Sequence, residues 1–212
     1  MTNIAHMISG QAAPLPIANL DTDQIMPKQF LRGIDKCGLD QGLLYDLRFD
    51  AQGLPRANCV LNEPAYAGAR ILVSGPNFGC GSSREHAVWG LLQYGIRAIV
   101  APSYGEIFYS NAMNNRLLPV ILAEADVAVL MGHAAQPGNV VDIDIATQEI
   151  RAGEFRRNFE MSAMHHRMFM LGTDMIGMTL SALADIEAFE RVHHARSPWI
   201  ARSGDPLNVA ES

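Results

Sequence analysis

Lysine is nearly absent from this chain, in which Lys28 and Lys36 are the only examples. Acidic residues outnumber basic ones, and the formal charge is −6 at pH 7. Because nucleic acids and anionic membranes attract net positive charge, neither is expected as a partner. No apolar run approaches the ~20 residues of a membrane-spanning helix, and the N-terminus lacks the basic and apolar regions of a secretory signal. A cytoplasmic location is therefore expected.

Cysteine is also scarce. Cys37, Cys59 and Cys80 are odd in number and widely separated, so neither a disulfide framework nor a Cys-x-x-Cys metal site is indicated. Asp21 and Asp23 lie close together in a polar loop, but carboxylates at this density usually form turns by bonding their own backbone. The sequence therefore predicts no metal site on this chain.

The most informative stretch is residues 77–85, which read Asn-Phe-Gly-Cys-Gly-Ser-Ser-Arg-Glu. A short apolar run typical of a buried strand precedes it at 69–74, and apolar residues recur at helical spacing after it. The stretch is therefore predicted to be a strand-to-helix turn, in which Gly79 and Gly81 permit a sharp bend and the close approach of a ligand. Ser82 and Glu85 have the spacing of a capping box, which places Ser82 at the helix N-cap.

A turn of this kind predicts an anion site. Backbone N–H groups and the positive end of the helix dipole would face the space above Ser82, Ser83 and Arg84. The Arg84 guanidinium adds a planar set of donors suited to a carboxylate or phosphate. Alone, Ser82 could be only a cap and Arg84 only a solvated side chain. Their combination with two glycines favours a functional site, and the absence of a following Gly-Lys-Ser/Thr excludes a P-loop.

The rest of the chain predicts an α/β fold. Residues 69–122 alternate strand and helix, and Pro119 suggests that the strand at 117–122 lies near a sheet edge. Residues 141–151 read as a hairpin, whereas Ala5 to Ser9 reads as a short first strand ended by Gly10. Residues 1–196 are expected to form one domain, followed by a tail at 197–212 that is partly disordered or docks onto a neighbour.

Several segments resemble the small subunits of 3-isopropylmalate dehydratase, a family of the aconitase superfamily. They are Asn77-Phe-Gly-Cys-Gly-Ser-Ser-Arg-Glu-His86, Asn19-Leu-Asp-Thr-Asp-Gln-Ile-Met-Pro27, and residues 94–103 and 172–180. The resemblance implies a mixed β/β/α barrel-like swivelling domain. It also implies a role in a hydro-lyase that interconverts 2-isopropylmalate and 3-isopropylmalate by dehydration and rehydration, in leucine biosynthesis.

The resemblance also implies roles for individual residues. In the superfamily, a serine of the Gly-Ser-Ser-Arg motif is the catalytic base and the neighbouring arginine binds a substrate carboxylate. Carried over by position, Ser82 is the base, and Ser83 and Arg84 contact the substrate. A loop that follows the Asp-Thr-Asp segment carries specificity. The further candidates are therefore Leu31 and Arg32 for substrate binding, and Asp21, Thr22, Asp23, Gly79 and Gly81 for positioning the loops.

The superfamily reaction also needs a Lewis acid, which is an iron–sulfur cluster. A cluster bound by thiolates needs converging cysteines, usually with a close pair among them, and Cys37, Cys59 and Cys80 offer no such pair. No cofactor is therefore expected on this chain. The resemblance places the cluster on a large partner subunit, without which this chain is expected to be inactive.

The substrate is less closely defined than the family. Asn114-Asn-Arg116 stands where a Lys-Asn-Gly-like turn is common in the family, and residues 35–39 also depart from its pattern. A related alkylmalate dehydratase acting on dimethylmalate or methylmalate is therefore an alternative. A third reading is a non-catalytic module that binds an anion at the start of the helix.

Overall fold

The computed structural model describes residues 6–31, 37–81 and 84–200. Arg32, Ser82 and Ser83 lie outside the described residues, as does the part of the expected tail beyond residue 200. The chain divides into two compact units with a boundary between Gly172 and Thr173. The expectation that residues 1–196 form one domain stays a prediction.

A seven-stranded sheet in the order β4-β3-β2-β1-β5-β6-β7 dominates the first unit. β1 to β4 pair in parallel, whereas β5 pairs with β1, β6 with β5, and β7 with β6 in antiparallel fashion. This curled mixed sheet confirms the predicted α/β class. The strands are β1 (Met7–Leu15), β2 (Ile71–Ser74), β3 (Ala98–Ala101), β4 (Leu118–Ile121), β5 (Val140–Asp144), β6 (Glu149–Ala152) and β7 (Phe155–Asn158).

Helices cover both faces of the sheet and connect its parallel strands. The helices of the first unit are α1 (Thr22–Ile25), α2 (Tyr45–Arg48), α3 (His86–Tyr94), α4 (Glu106–Asn114), α5 (Glu124–Ala134) and α6 (Ala163–Leu171). Short 3-10 turns occupy Lys28–Phe30, Leu39–Gly42, Val60–Asn62 and Pro64–Tyr66. α3 ends before Gly95, whose left-handed φ of 112° suits the residue after a helix.

The core lies on both sides of the parallel strands because successive side chains of a strand point to opposite faces. Leu72 of β2 packs with Leu91 and Phe108 on the face covered by α3 and α4. Its neighbours Ile71 and Val73 pack on the other face, in a cluster that includes α5 residues. Burial on both faces explains why these strands read as continuous apolar runs.

Two expectations about the sheet have opposite outcomes. Pro119 lies in β4, which is an edge strand, as predicted. The first strand was predicted to end at Gly10, and this is wrong, because β1 continues to Leu15. Pairing on both sides outweighs the low strand propensity of Gly10 and Pro14: β1 bonds to β5 through its first half and to β2 through its second.

The second unit contains α7 (Met175–Leu180) and α8 (Leu183–Arg196), followed by a 3-10 turn at Pro198–Ile200. The Asp174 side chain accepts a bond of 2.7 Å from the Gly177 N–H and so caps α7. The N-cap of α8 is Ala182. None of the helices in the described ranges is both long enough and apolar enough to cross a bilayer.

Candidate active site

The loops that follow three neighbouring parallel strands meet beyond the carboxyl ends of those strands. Since β1, β2 and β3 are parallel, their carboxyl ends lie at the same edge, where α/β proteins commonly bind ligands. The loop after β1 leads to α1, and the loop after β2, residues 75–85, leads to α3. A short loop at 102–105 connects β3 to α4. Every candidate residue of the sequence analysis belongs to the first two of these segments or follows them closely.

Backbone hydrogen bonds hold the loop after β2 between its two neighbours. On one side, the Gly79 N–H donates to the Leu20 carbonyl at 2.7 Å, and the Thr22 N–H donates to the Cys80 carbonyl at 2.9 Å. On the other side, the Phe78 N–H donates to Ser103 O at 3.1 Å. The loop is therefore fixed by the backbone of both flanking segments up to Cys80.

Both predicted loop glycines adopt conformations that side chains rarely take. Gly79 has φ +72°, and a Cβ added there would lie 2.2 Å from Phe108 Cγ. Gly81 has φ +92°, but an added Cβ would be 3.5 Å from the nearest atom, Asp21 Cβ. Gly79 is thus needed for both conformation and space, and Gly81 for conformation only. The role of Gly79 and Gly81 in positioning the loops of the site stays a prediction.

Two asparagines at this edge were not singled out from the sequence. Asn19 and Asn77 both have positive φ, of 55° and 58°, and the Asn77 amide donates to Asn19 Oδ1 at 2.9 Å. The Asn77 N–H also donates to Ser103 Oγ at 2.8 Å. Asparagine tolerates the left-handed region better than most residues. The available signal was an asparagine in each of two polar loops, one of which also contains glycines.

Asn19 to Asp23 were expected to form a polar loop, and this is wrong from Thr22 onward, because the segment ends in a helix. It begins α1, with Asp21 at the N-cap: Asp21 Oδ1 accepts from the Gln24 N–H at 2.7 Å. The Gln24 side chain accepts from the Asp21 N–H in return, which completes a capping box. Thr22 is buried at the start of this helix. Asp21 therefore bonds its own backbone, as such carboxylates usually do.

Arg84 and Asp23, two predicted site residues 61 positions apart, are brought together. The Arg84 Nη1 atom donates to Asp23 Oδ1, while Lys28 Nζ lies 3.8 Å from the second oxygen, Oδ2. The Arg84 side chain is 27% exposed and that of Lys28 is 73% exposed. Because exposed ion pairs contribute only about 0–1 kcal/mol to stability, this pairing orients Arg84 more than it stabilises the fold. Substrate binding by Arg84 stays a prediction.

The start of α3 differs from the expected capping box. The prediction that Ser82 is the N-cap is wrong, because α3 begins at His86 with Glu85 at the N-cap. The Glu85 carboxylate does not cap the helix; it accepts a bond of 2.5 Å from the Asn115 amide. The partner that the structure shows for Glu85 lies 30 residues away in sequence, and the Ser-x-x-Glu spacing did not predict it.

Leu31 lies beyond α1, at the end of the 3-10 turn Lys28–Phe30. It is half-buried, and both Phe30 and Leu31 pack against the core cluster that contains Leu72. A specificity role for Leu31 stays a prediction, as does that of Arg32.

The described ranges contain no group of three or more His, Cys, Asp or Glu side chains that could hold a metal. Cys59 is buried, Cys37 is exposed and Cys80 is intermediate. The Cys80 thiol donates to the Asn19 carbonyl at 3.4 Å. The thiols of this chain therefore do not fit a cluster-binding set.

Two family models match separate parts of the chain. The model of the aconitase C-terminal domain matches residues 2–125. A second model, which describes the C-terminal domain of 3-isopropylmalate dehydratase small subunits, matches residues 175–203. Fold and site thus define an aconitase-type domain.

Individual relatives narrow this class. A 3-isopropylmalate dehydratase small subunit from Chromobacterium violaceum is 60% identical over 194 residues, which cover 91% of this chain and 92% of that protein. One from Phenylobacterium zucineum is 46% identical and covers 91% and 96%. The crystal structure of a 3-isopropylmalate dehydratase from Methanocaldococcus jannaschii has a TM-score of 0.64 at 27% identity, covering 86% of this chain and 99% of its own. The chain belongs to the family of 3-isopropylmalate dehydratase small subunits.

Proposed function

We propose that this chain is the small subunit of a cytoplasmic hydro-lyase that interconverts 2-isopropylmalate and 3-isopropylmalate in leucine biosynthesis. The 60% identity with the relative from Chromobacterium violaceum, over 91% of this chain, is the observation that carries the proposal. The reaction removes water from the alkylmalate and returns it to the neighbouring carbon. It needs a base for a carbon-bound proton, a Lewis acid for the hydroxide and cations for the carboxylates.

Ser82 is the base in this proposal. A serine hydroxyl is a weak base in water, so the role requires an ionised oxygen supported by oriented donors. Ser82 and Ser83 connect Gly81 to Arg84 in sequence, between a loop that is tied to both neighbouring segments and the start of α3. The proposed base thus follows closely, in sequence, a backbone segment that is hydrogen-bonded on both sides.

Arg84 binds one carboxylate of the substrate. A guanidinium has five N–H donors, and the Asp23 contact engages the donors of Nη1. Within the described residues, the other donors of Arg84 remain available to a carboxylate while Asp23 holds the group in place. Asp23 then serves as a positioning residue, and Ser83 is a further substrate contact.

The partner is a large subunit that binds the iron–sulfur cluster. When bound there, the cluster supplies the Lewis acid that this chain does not provide. The chain's own contribution is the base, the carboxylate-binding arginine and the loops that hold them. Activity consequently requires both proteins.

Reconstitution tests the proposal. The purified chain, alone and mixed with a cluster-bearing large subunit, is assayed with 2-isopropylmalate, 3-isopropylmalate, dimethylmalate and methylmalate. We expect turnover only in the mixture, with the isopropylmalates preferred. A preference for dimethylmalate or methylmalate would show that the substrate is a different alkylmalate, while the protein would still be a dehydratase subunit.

The isolated chain distinguishes catalysis from simple binding. Full-strength binding of isopropylmalate by the chain alone, with no turnover and no gain from the large subunit, would contradict the proposal. That result would favour a non-catalytic anion-binding module instead.

A further inference from the structure

Helix α4 and its two cap residues contact the loop between β2 and α3, residues 75–85, at several points. At the amino end of the helix, the Gly105 N–H donates to the Phe78 carbonyl at 2.9 Å. In the first turns, Phe108 packs so closely on Gly79 that a Cβ on Gly79 would lie 2.2 Å from its ring. At the carboxyl end, Asn115 binds Glu85. The helix therefore holds both ends of the segment 78–85, although it contributes no predicted substrate contact.

The Asn115 side chain makes three hydrogen bonds, and together they determine its orientation. Its Nδ2 donates to Glu85 Oε1 at 2.5 Å and to the Asn111 carbonyl at 2.8 Å. Its Oδ1 accepts from the Trp89 Nε1–H at 3.1 Å. Since an indole N–H only donates and a carbonyl only accepts, a flipped amide would lose all three bonds. Asn115 is thus suited to hold the Glu85 carboxylate in one place.

Glu85 in turn links Asn115 to the proposed catalytic residues. It follows Arg84 directly, and its backbone carbonyl accepts the first bonds of α3, from the N–H groups of Val88 at 3.0 Å and Trp89 at 3.1 Å. Movement of Glu85 would therefore shift both Arg84 and the first turn of the helix.

We propose that Asn115 is a positioning residue for the dehydratase reaction, acting through the Glu85 carboxylate on the segment that carries Ser82 and Arg84. The inference rests on the proposed function for its catalytic consequence. The geometry on which it depends, a part-buried amide that bridges the end of α4 and the start of α3, is independent of any substrate.

The direct test is Asn115→Asp, which preserves shape but replaces the amide donor by a second carboxylate facing Glu85. Two carboxylates at hydrogen-bond distance repel each other, so the start of α3 should move away from α4. A displacement of about 1 Å can cost about 100-fold in rate. We expect kcat/KM of the reconstituted enzyme to fall by roughly 10- to 100-fold, with KM for isopropylmalate changed as well as kcat.

The rescue variant combines Asn115→Asp with Glu85→Gln. The introduced amide donates to the introduced carboxylate, so the bond is restored with its direction reversed, and Trp89 still has an acceptor. We expect kcat/KM to recover by at least about 5-fold over the single variant, because the bond to residue 85 returns and one such bond is worth about 1 kcal/mol. Recovery is incomplete, since the introduced carboxylate faces the Asn111 carbonyl, which can only accept. Asn114→Asp is the matched control, since it places the same charge on an exposed neighbouring residue at the same helix end. It should change kcat/KM by less than about 2-fold.

Amide hydrogen exchange over residues 78–88 separates this inference from the proposed function. We expect faster exchange there in Asn115→Asp and a return to the original rate in the double variant, in the isolated chain as well as in the complex. If the unsubstituted enzyme fails to turn over isopropylmalate but exchange follows this pattern, the proposed function is wrong and the positioning stands. Full activity and unchanged exchange in Asn115→Asp, or a double variant as impaired as the single one, would overturn the inference.

Discussion

The parallel and antiparallel halves of the sheet differ in how the loops after their strands are arranged. β1 to β4 run in one direction, so the segments after three of them meet at one edge and bond to each other. β5, β6 and β7 reverse direction at each step through short connections. Parallel topology therefore assembles a site from residues that are distant in sequence, whereas each of these antiparallel turns joins two strands that are consecutive in sequence.

The same difference separates two kinds of arginine–carboxylate pair. In the antiparallel half, Arg151 and Glu149 of β6 approach to 3.3 Å, and Arg157 of β7 bonds Asp126 at 2.9 Å. The arginines of these pairs lie on strands. Arg84 pairs with Asp23 where two loops meet at the carboxyl edge. Both halves therefore contain arginine–carboxylate pairs. The Arg84 pair lies in the loops beyond the carboxyl ends of the parallel strands, and this position distinguishes a candidate ligand-binding group from a surface ion pair.

The largest contrast is expected between Arg84→Lys and Arg157→Lys. A lysine keeps the charge but loses the planar set of donors that binds a carboxylate in two places. We expect Arg84→Lys to lower kcat/KM of the reconstituted enzyme by about 100-fold, the value of one or two lost charged bonds. Arg157→Lys should leave it within about 2-fold. Equal effects in steady-state assays would remove the distinction between the two halves.

A second contrast compares Gly79→Ala with Gly153→Ala. Both glycines have positive φ, +72° and +57°, and an alanine costs about 1–2 kcal/mol in this region. An added Cβ at Gly153 would meet nothing closer than 3.7 Å, but at Gly79 it would lie 2.2 Å from Phe108. Overpacking should therefore cost a further ~1–3 kcal/mol at Gly79. Urea unfolding measures how much free energy of unfolding each variant loses. Equal losses would show that the loop after β2 is not tightly packed against Phe108.

A smaller effect tests the bond between the loops after β1 and β2. Asn19→Asp keeps the acceptor for Asn77, and Asn77→Asp can be accommodated if the Asn19 amide flips. The double variant places two carboxylates about 2.9 Å apart. Because the pair is exposed, we expect the double variant at neutral pH to lose only about 1 kcal/mol more stability than the two single variants together. This extra loss disappears once one carboxyl is protonated. A double-mutant cycle of unfolding free energies at pH 7 and pH 4 measures it, and simple additivity at pH 7 would argue against a direct bond.

The smallest effect belongs to the antiparallel half. Hydrogen bonds from the Thr147 N–H, followed by those from Ala146 and the charge of Arg151, lower the pKa of Asp144 from its ordinary 3.8, although burial acts in the opposite direction. The stability that this carboxylate contributes is therefore complete above pH 3.8 and is lost as pH falls through the lowered pKa.

Asp144→Asn removes this titration while keeping an acceptor for the turn. The melting temperature of the unsubstituted chain should exceed that of the variant near pH 6, and the gap should narrow below about pH 4. A constant gap across this range would show that Asp144 is not held in the charged form.

Much of the fold followed from local patterns. The apolar runs of β2 and β3, the helical spacing of α4 and the alternation of β5 predicted these elements because burial on one or two faces determines the spacing of apolar residues. α5 has no clear stripe, and β7 is largely polar, so neither produced such a signal. The length of β1 was missed because its two partners, β2 and β5, are far away in sequence.

The candidate site was predicted in composition but not in its connections. Gly79 and Gly81 were found because left-handed turns demand glycine, and Arg84 because its neighbours formed a recognisable motif. The Asn115–Glu85 bond joins residues 30 positions apart, and the Arg84–Asp23 pair joins residues 61 apart. Neither can be deduced from spacing, because the separation of such residues depends on the path of the whole chain.

The most direct measurement compares Ser82→Ala with the unsubstituted chain in complex with a cluster-bearing large subunit, following isopropylmalate turnover and, separately, assembly by sedimentation. We predict that assembly is unchanged while turnover falls by about 100- to 10,000-fold, since this is what a positioned base typically contributes. Normal turnover by an assembled Ser82→Ala complex would contradict the claim that the loop between β2 and α3 carries the base.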